Sequence, residues 1–380
     1  MGIGYFDNAA TTLRKPDGMY QFMAEYMERF GGNSGRGEYQ SAKNAGAIIR
    51  ETRDLLLELT HCNSTEEVVF TPSATIALNC ILRGLKLKQG DCVYVSHFEH
   101  NAVMRSLYDL QVRIGVEIEY LQISKGLQYN LSGIKTQFER KKPSLVVVSQ
   151  VSNVCGLIAP VQELAVLAKQ FNANVVVDAS QACGVIDIAL NYIDYYVFAG
   201  HKTLLGPFGA AGFICRKNSS LKPLLFGGTG VDSANREMPR SIPERFEAGS
   251  INIMAIAGLN FSLKWILKTG IEKIRAQENE RYVSLINILR QYDEVSFVGQ
   301  TENASAILST QFEGYAPNEI GRIFNDFGIS VRTGLHCAPE AHRFLGTFPE
   351  GTVRFSVSYF TNDEDLSLLK RAMNEISEQL

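Results

Sequence analysis

Two short, mostly apolar runs in the middle of the chain, at 174–177 and 195–198, are each followed closely by a charged residue. Asp178 comes directly after the first run, and Lys202 comes shortly after the second. If the two runs are adjacent strands of a parallel sheet, both side chains reach its carboxyl edge, where open α/β sheets bind ligands. The sequence therefore predicts a parallel sheet that presents an acid and an amine to one ligand.

An amine and a carboxylate at one sheet edge are the two groups that pyridoxal phosphate takes from a protein. A lysine forms the Schiff base, and an acid keeps the pyridine nitrogen protonated so that the ring can accept the electrons of a carbanion. Apolar surroundings lower the pKa of a lysine enough to make it a nucleophile or a base. Alone, Lys202 would be an ordinary surface lysine and Asp178 an ordinary strand-end acid, so the prediction depends on the pair.

Strand-like and helix-like segments alternate through the middle of the chain. The run 145–149 is rich in β-branched residues, as expected of a strand that is buried on both faces. Apolar residues between 161 and 171 recur at helical spacing behind Pro160. We predict an α/β fold with a mostly parallel sheet and helices on both faces. A long helical stretch from about Ile251 to Tyr292, followed by mixed strands and helices, predicts a smaller α+β domain.

Composition excludes several classes of protein. The chain has 380 residues, of which 45% are hydrophobic and 20% charged, as in a soluble globular protein. A formal net charge of −3 gives no reason to expect nucleic acid or a membrane surface as partner. No apolar run is long enough for a membrane helix and no signal peptide is visible, so we expect a cytoplasmic protein. Seven scattered cysteines indicate reduced thiols rather than disulfides.

Three further segments follow predicted strands and carry groups that suit a phosphorylated ring. Ser73, Ala74 and Thr75 begin a helix, where backbone N–H groups bind phosphate, although Ser73 is equally a normal N-cap. His100 is placed to stack on a ring and move a proton, or serves only to begin a helix. Gln181 is placed to donate to a ring phenolate, or is a turn residue.

Two residues near the C-terminal end suit a substrate. Arg354 lies in a strand poor in charges and has the planar fork that binds a carboxylate, although a lone strand arginine more often reaches solvent. Cys337 lies in a loop bounded by Gly334 and Pro339, close to Arg332, and a nearby cation favours the thiolate. Without that context Cys337 would be an inert thiol.

Metal and dinucleotide sites have little support in the sequence. His97 and His100, with the distant His336, Cys337 and His342, are of the types that bind zinc, but they do not form a compact zinc motif. The glycine-rich stretches do not give the dinucleotide-binding fingerprint between a strand and a helix. We therefore predict no metal site.

Taken together, these residues resemble the class V, fold-type I pyridoxal phosphate enzymes, specifically the cysteine desulfurase and selenocysteine lyase group. The specific signature is Gly200-His201-Lys202 behind Asp178-x-x-Gln181. Further matching segments are 5–12, 99–100, 152–156, 245–250 and 332–338. The last resembles the short cysteine loop of the SUF-type desulfurases. The resemblance implies a large domain over 15–255 with a seven-stranded type of sheet, and a small α+β domain from 1–14 and 256–380.

The resemblance also implies a role for each site residue. Those expected on the cofactor are Lys202 (Schiff base and Cα proton), Asp178 (pyridine nitrogen), His100 (ring stacking), Gln181 (phenolate), Asn153 (close to the cofactor and substrate) and Ser73, Ala74, Thr75, His201 and a second subunit's Ser250 (phosphate). Those expected on the substrate are Arg354, which would hold its carboxylate, and Cys337, which would attack its sulfur and carry the persulfide.

The implied enzyme is a homodimeric cysteine desulfurase that converts L-cysteine to L-alanine and passes sulfur to an acceptor protein, as in iron–sulfur cluster assembly. Selenocysteine lyase, with L-selenocysteine as substrate, and an aminotransferase or epimerase are the alternatives on the same fold. A non-catalytic scaffold is the remaining alternative. It is supported only by departures from the family pattern, where Ala199 replaces a Ser or Thr and Tyr39 a His. Ser250 replaces a usual Thr, which is a mild change.

Overall fold

The computed structural model describes residues 4–32, 39–62, 65–302 and 304–377. Its strands are β1 (Gly4–Tyr5), β2 (Glu66–Thr71), β3 (Cys92–Val95), β4 (Glu117–Tyr120), β5 (Pro143–Ser149), β6 (Asn174–Asp178), β7 (Tyr195–Ala199), β8 (Ala211–Arg216), β9 (Val295–Val298), β10 (Ile307–Phe312), β11 (Ile329–Ser330), β12 (Arg332–Gly334) and β13 (Thr352–Ser356). Its helices are α1 (Met19–Phe30), α2 (Gln40–Leu59), α3 (Ala74–Gly84), α4 (Asn101–Ile114), α5 (Leu131–Arg140), α6 (Val161–Gln170), α7 (Ile253–Thr269), α8 (Ile271–Leu289), α9 (Pro317–Asp326), α10 (Pro339–Leu345) and α11 (Asp363–Ser377).

The central sheet has seven strands in the spatial order β2-β8-β7-β6-β5-β3-β4. The pairs from β7 to β4 are parallel, and β8 is antiparallel to both of its neighbours, so the prediction of a mostly parallel sheet is confirmed. β8 turns back along β7 after the connection 200–210, which contains Lys202. Because β8 is antiparallel to β7, the loop that contains Lys202 lies at the carboxyl edge of the sheet.

Helices cover both faces of this sheet, as predicted. Val175 and Val177 pack into an apolar cluster with α6 and α7, whereas Val176 packs into a second cluster with α3 and α4. This alternation follows from the period of two in a strand, which points neighbouring side chains to opposite faces. Because both faces are buried, the strands read as continuous apolar runs, and polar residues stand out where the strands end.

The C-terminal part contains a four-stranded antiparallel sheet, β12-β13-β10-β9, and β1 pairs with β11 in a separate parallel ribbon. The long helical stretch predicted from about Ile251 to Tyr292 is formed by two helices rather than one. It divides at Gly270, whose φ of +89° favours glycine and cannot continue a helix, into α7 and α8. The strand expected at 329–333 is likewise divided between two sheets.

The small sheet has an apolar cluster of its own, in which Phe6 of the N-terminal segment packs edge-on against Phe355 of β13. Helix α7 instead joins the cluster beneath the central sheet, together with residues of α1 and α2. The domain limits at 15 and 255 stay a prediction. Within the described residues, every helix is too short or too polar to pass through a lipid bilayer.

Candidate active site

Asp178 and Lys202 line the same cavity at the carboxyl edge of the central sheet. β6 and β7 are adjacent and parallel, with Asp178 opposite Val197, as the sequence predicts. Lys202 lies in a tight turn beyond β7, in which its N–H donates to the Ala199 carbonyl at 3.3 Å. The cavity measures about 570 Å³, including its open mouth.

Nine of the predicted residues share this cavity: Ser73, Ala74, Thr75, His100, Asn153, Asp178, Gln181, His201 and Lys202. Four others complete its lining: Ser149, Val151, Ser180 and Ala199. Ser149 ends β5 as Asp178 ends β6, and the two residues are paired across the strands. The same signal, a polar residue at the end of an apolar run, was available in the sequence for Ser149.

Lys202 has the electrostatic environment of a reactive amine. Burial lowers its pKa to about 8, because the ammonium ion loses water. The Asp178 carboxylate opposes this shift, and Arg354 and Arg332 add to it. The net result is an amine that is partly unprotonated near neutral pH, as a nucleophile or proton carrier requires.

The Asp178 carboxylate is held in place by its own turn. Its Oδ1 atom accepts from the Ser180 N–H at 3.0 Å and from the Ser180 hydroxyl at 2.6 Å. Next to it, Gln181 donates to the Ala9 carbonyl at 2.7 Å, which ties the turn to the N-terminal segment. Asp178 is therefore buried and oriented before any ligand arrives.

The wall formed by α3 and His201 suits an anionic group. The Ser73 side chain caps α3 by accepting from the Ile76 N–H at 3.3 Å, so the expected N-cap is present. The first N–H groups of a helix have no partner within it and are aimed at such a ligand. The Nδ1 atom of His201 is buried without a hydrogen-bond partner. Burial, helped by Lys202, lowers the pKa of His201 to about 4, so its ring is neutral and able to donate.

His100 begins α4, and it also lines the cavity. Its Nδ1 atom accepts from the Ala102 N–H at 3.0 Å, so a neutral ring carries its proton on Nε2. Burial, followed by the charge of Lys202, lowers the pKa of His100 to about 4, which keeps the ring neutral. The structural and the functional interpretations of His100 are therefore compatible.

Glu99 supports the loop that carries His100, and sequence reasoning assigns it no role beyond membership of a motif. It is fully buried and accepts from the Ser96 hydroxyl at 2.6 Å. It also accepts from the N–H and hydroxyl of Ser149, at 2.8 and 2.9 Å. Burial raises the pKa of Glu99 to about 7. These contacts fasten the end of β5 to the loop before His100.

Arg354 is 2% exposed, so the interpretation as a strand arginine reaching solvent is wrong. Its Nη1 atom donates to the Asn153 carbonyl at 2.9 Å and its Nη2 atom to Asp7 Oδ1 at 2.8 Å. Its Nε atom is buried without a partner. Arg354 does not line the cavity itself, but its partner Asn153 does. Asp7, which balances the buried charge, belongs to a matching segment but received no role from the sequence.

Cys337 is the exposed member of the seven cysteines, all of which lie in the described ranges and are unpaired. Its φ of 58° and that of His336, 47°, lie in the left-handed region, which non-glycine residues rarely adopt. The Cys337 carbonyl accepts from the Asn101 N–H at 2.7 Å, and the His336 carbonyl accepts from the Asn153 side chain at 2.7 Å. The loop is thus fastened to two elements of the cavity wall.

Two residues with an expected influence on the site lie elsewhere. Ser250 is exposed and does not line the cavity, which leaves its assignment to a second subunit untested. Tyr39 is 56% exposed, and Gly37 and Glu38 before it lie outside the described residues. Ala199 does line the cavity, so the missing hydroxyl is a local difference at the site.

Comparisons with known proteins agree with this geometry. Residues 4–369 match the class-V aminotransferase family. A probable cysteine desulfurase of Methanothermobacter thermautotrophicus is 30% identical over 98% of this chain and 94% of its own length. A cysteine desulfurase of Synechococcus elongatus is 32% identical over 98% of this chain, which spans 60% of that protein.

Solved structures show the same likeness. The apo structure of a cysteine desulfurase from Thermococcus onnurineus NA1 superimposes with a TM-score of 0.90 at 29% identity and covers 100% of this chain and 95% of its own. The chain is therefore a member of the class V aminotransferase family and is similar over its whole length to the cysteine desulfurases within it.

Proposed function

We propose that this protein is a pyridoxal phosphate-dependent cysteine desulfurase, which converts L-cysteine to L-alanine and leaves a persulfide on Cys337. The observation that carries the proposal is the joint position of Lys202 and Asp178 in one cavity, with the exposed Cys337 loop fastened to its wall. An ordinary aminotransferase needs the first pair but has no use for the cysteine.

The residues of the cavity suit the cofactor. Asp178 would hold the pyridine nitrogen, and Gln181 would contact the phenolate. The α3 N-terminus, Thr75 and the unpaired Nδ1 of His201 would hold the phosphate. Pyridoxal phosphate, when bound, supplies an electron sink that stabilises negative charge at the substrate Cα atom.

Lys202 and His100 supply proton transfer and orientation. Lys202 Nζ, with its lowered pKa, would remove the proton from the substrate Cα atom. The neutral His100 ring, fixed by its bond to the Ala102 N–H, would stack on the bound ring. Asp178 would hold the proton on the pyridine nitrogen, so that the ring can accept the negative charge that develops at the substrate Cα atom, and its carboxylate is already oriented for this.

Cys337 would accept the sulfur atom. Its thiolate attacks the substrate sulfur, so that an S–S bond forms as the substrate C–S bond breaks. The electron pair of the broken bond stays on the substrate carbon, which takes up a proton and leaves as alanine. Free cysteine and the Cys337 thiol thus become alanine and the Cys337 persulfide, with no external oxidant or reductant.

The substrate carboxylate would bind at Arg354, whose Nε atom has no partner in the protein. A guanidinium held by two other contacts is pre-organised, so little entropy is lost when the carboxylate binds. Asn153 lines the cavity and its carbonyl accepts from this arginine, so it would fix the distance between the substrate carboxylate and the cofactor.

A homodimer is part of the proposal, with Ser250 reaching the phosphate of the partner subunit. The backbone of Gly249, next to Ser250, is bonded to Gly228 at 2.8 Å. Phe226, close to this contact, is 75% exposed, and exposed apolar side chains support an interface here. Transfer of sulfur to an acceptor protein, of the type used in SUF-type iron–sulfur cluster assembly, is supported by the family resemblance and by the accessibility of Cys337. A cytoplasmic location is supported by the family resemblance.

A product assay with the Cys337→Ser variant tests the function. Alanine, sulfide and keto acid are measured from L-cysteine and L-selenocysteine, with and without a dithiol reductant. The variant should keep the yellow cofactor and lose alanine formation from cysteine, whereas Cys62→Ser, at a half-buried thiol, should match the parent. Turnover of cysteine by Cys337→Ser at the parental rate would refute the persulfide step. If the parent protein turned over selenocysteine but not cysteine, it would be a selenocysteine lyase.

A further inference from the structure

The segment Thr11–Lys15 converges on the backbone of the lysine loop. The carbonyl of His201 belongs to the peptide bond that precedes Lys202. It lies within hydrogen-bond distance of four donors. The Thr12 N–H lies at 3.1 Å and the Thr11 hydroxyl at 3.0 Å, and the Thr12 hydroxyl and Lys15 Nζ each lie at 3.2 Å. A carbonyl oxygen has two lone pairs, so the four contacts cannot all be strong.

A chain of hydrogen bonds resolves this excess of donors. Lys15 Nζ lies 2.6 Å from the Thr12 hydroxyl oxygen, which accepts from it. The Thr12 hydroxyl then has its own proton free for the Lys202 carbonyl, at 3.2 Å. The Thr12 N–H and the Thr11 hydroxyl remain for the His201 carbonyl. Both carbonyls that bracket the Lys202 backbone are thus held from the N-terminal segment.

Lys15 is an unusual residue to find in this position. Its ammonium group is bonded to a hydroxyl and a carbonyl, both neutral, and burial lowers the pKa of Lys15 to about 7. Burying a cation is unfavourable, and a neutral polar residue would satisfy the same two partners at lower cost. When Lys15 is protonated, its charge strengthens the bond to Thr12, since hydrogen bonds from charged donors are roughly twice as strong as neutral ones.

We propose that Lys15 is a positioning residue for Lys202: through the Thr12 hydroxyl it fixes the two backbone carbonyls on either side of the reactive lysine. The proposal rests on the proposed role of Lys202. As a consequence, the backbone from which the Lys202 side chain extends is held in place. The residues just before this segment reach the substrate side, because the Ala9 N–H donates to the Ser356 hydroxyl on β13 at 2.8 Å, two residues beyond Arg354.

The test is Lys15→Met, compared with the conservative Lys15→Arg and with Lys125→Met at an exposed turn. Full-length protein freed of cofactor is mixed with pyridoxal phosphate, and the rate of covalent adduct formation at Lys202 is followed by absorbance and borohydride trapping. The kcat and KM for cysteine are measured in parallel. Lys15→Met should slow both adduct formation and kcat about tenfold, with KM nearly unchanged, because positioning errors act on the reacting geometry.

Lys15→Arg should recover most of the loss, and Lys125→Met should match the parent. Parental rates in a folded Lys15→Met variant would overturn the proposal. If that variant does not fold, Thr12→Val, which removes the hydroxyl and keeps the ammonium group, decides the matter by the same two rates. Because adduct formation does not depend on cysteine, a parent inactive on cysteine would refute the proposed function and leave this measurement intact.

Discussion

Asn153 donates its side-chain amide to the carbonyl oxygen of His336 at 2.7 Å, and both groups are buried. The backbone carbonyl of Asn153 accepts from Arg354 at 2.9 Å. One residue of the cavity wall therefore fixes both the loop that carries Cys337 and the arginine proposed for the substrate carboxylate. Its contacts join groups that are separated by about half of the chain.

Asn153→Ala should loosen the Cys337 loop. The variant leaves the buried His336 carbonyl without its donor, which costs about 1–3 kcal/mol of unfolding free energy. Without the bond, the left-handed backbone at His336 and Cys337 is less well maintained, so kcat for alanine formation should fall while the cofactor stays bound. Urea unfolding, kcat and the rate of Cys337 alkylation measure these effects. Asn287→Ala on the exposed face of α8 is the control, and an alkylation rate equal to the parent's would contradict the prediction.

Arg354→Lys should raise the KM for cysteine by about 10- to 100-fold. A lysine keeps the charge but loses the planar fork, so it cannot hold Asn153 and Asp7 and still present a donor to the substrate. The absorbance of the bound cofactor should be unchanged, because Arg354 does not line the cavity. Steady-state kinetics measure the effect against Arg371→Lys at an exposed position. An unchanged KM in a folded variant would show that the carboxylate binds elsewhere.

The sequence predicts the part of the site that local patterns encode. Asp178 and Lys202 follow apolar runs, and two buried parallel strands place such residues at one edge, as the pairing of β6 and β7 confirms. The start of α3 at Ser73 is similarly encoded, since an N-cap and small residues mark a helix start locally. These features depend on strand direction and helix capping, which neighbouring residues decide.

The contacts that the sequence does not predict are those that join distant segments. Arg354 pairs with Asp7 across most of the chain, and Lys15 bonds to the His201 carbonyl across about half of it. Periodicity gives the face of an element that is buried but not its partner, so neither pair has a local signal. The antiparallel direction of β8 could not be predicted either, because its run of buried residues is also typical of a parallel strand.

Lys202 should react with aldehydes at a pH well below that of an ordinary lysine, whose pKa is about 10.4. Only the unprotonated amine reacts, and burial lowers the pKa of Lys202 to about 8. In cofactor-free full-length protein, the rate of adduct formation with pyridoxal phosphate should rise with pH and level off above about 8. Asp178 favours the charged amine, so Asp178→Asn should move the midpoint to lower pH. A midpoint that stays in place or rises would contradict the electrostatic coupling of this pair.

Folding stability should fall in mild acid, in part because of two buried histidines behind the Cys337 loop. His336 and His342 lie with ring centroids 5.3 Å apart, and each has one ring nitrogen buried without a partner. Burial lowers the pKa of His336 to about 2 and that of His342 to about 4. An unfolded histidine takes up a proton near pH 6.5, whereas the folded rings do not, so their contribution to stability is complete above that pH. As pH falls from about 6.5 towards 4, each ring should cost about 1.4 kcal/mol per pH unit.

Urea unfolding between pH 7.5 and 4.5 measures this loss. His342→Gln removes one titrating ring and should make the decline shallower, even if it lowers the stability at pH 7.5. His61→Gln, at a histidine on the surface, is the matched control. A parental slope in His342→Gln would mean that acid destabilises the protein through other groups and that His342 has no part in its pH dependence.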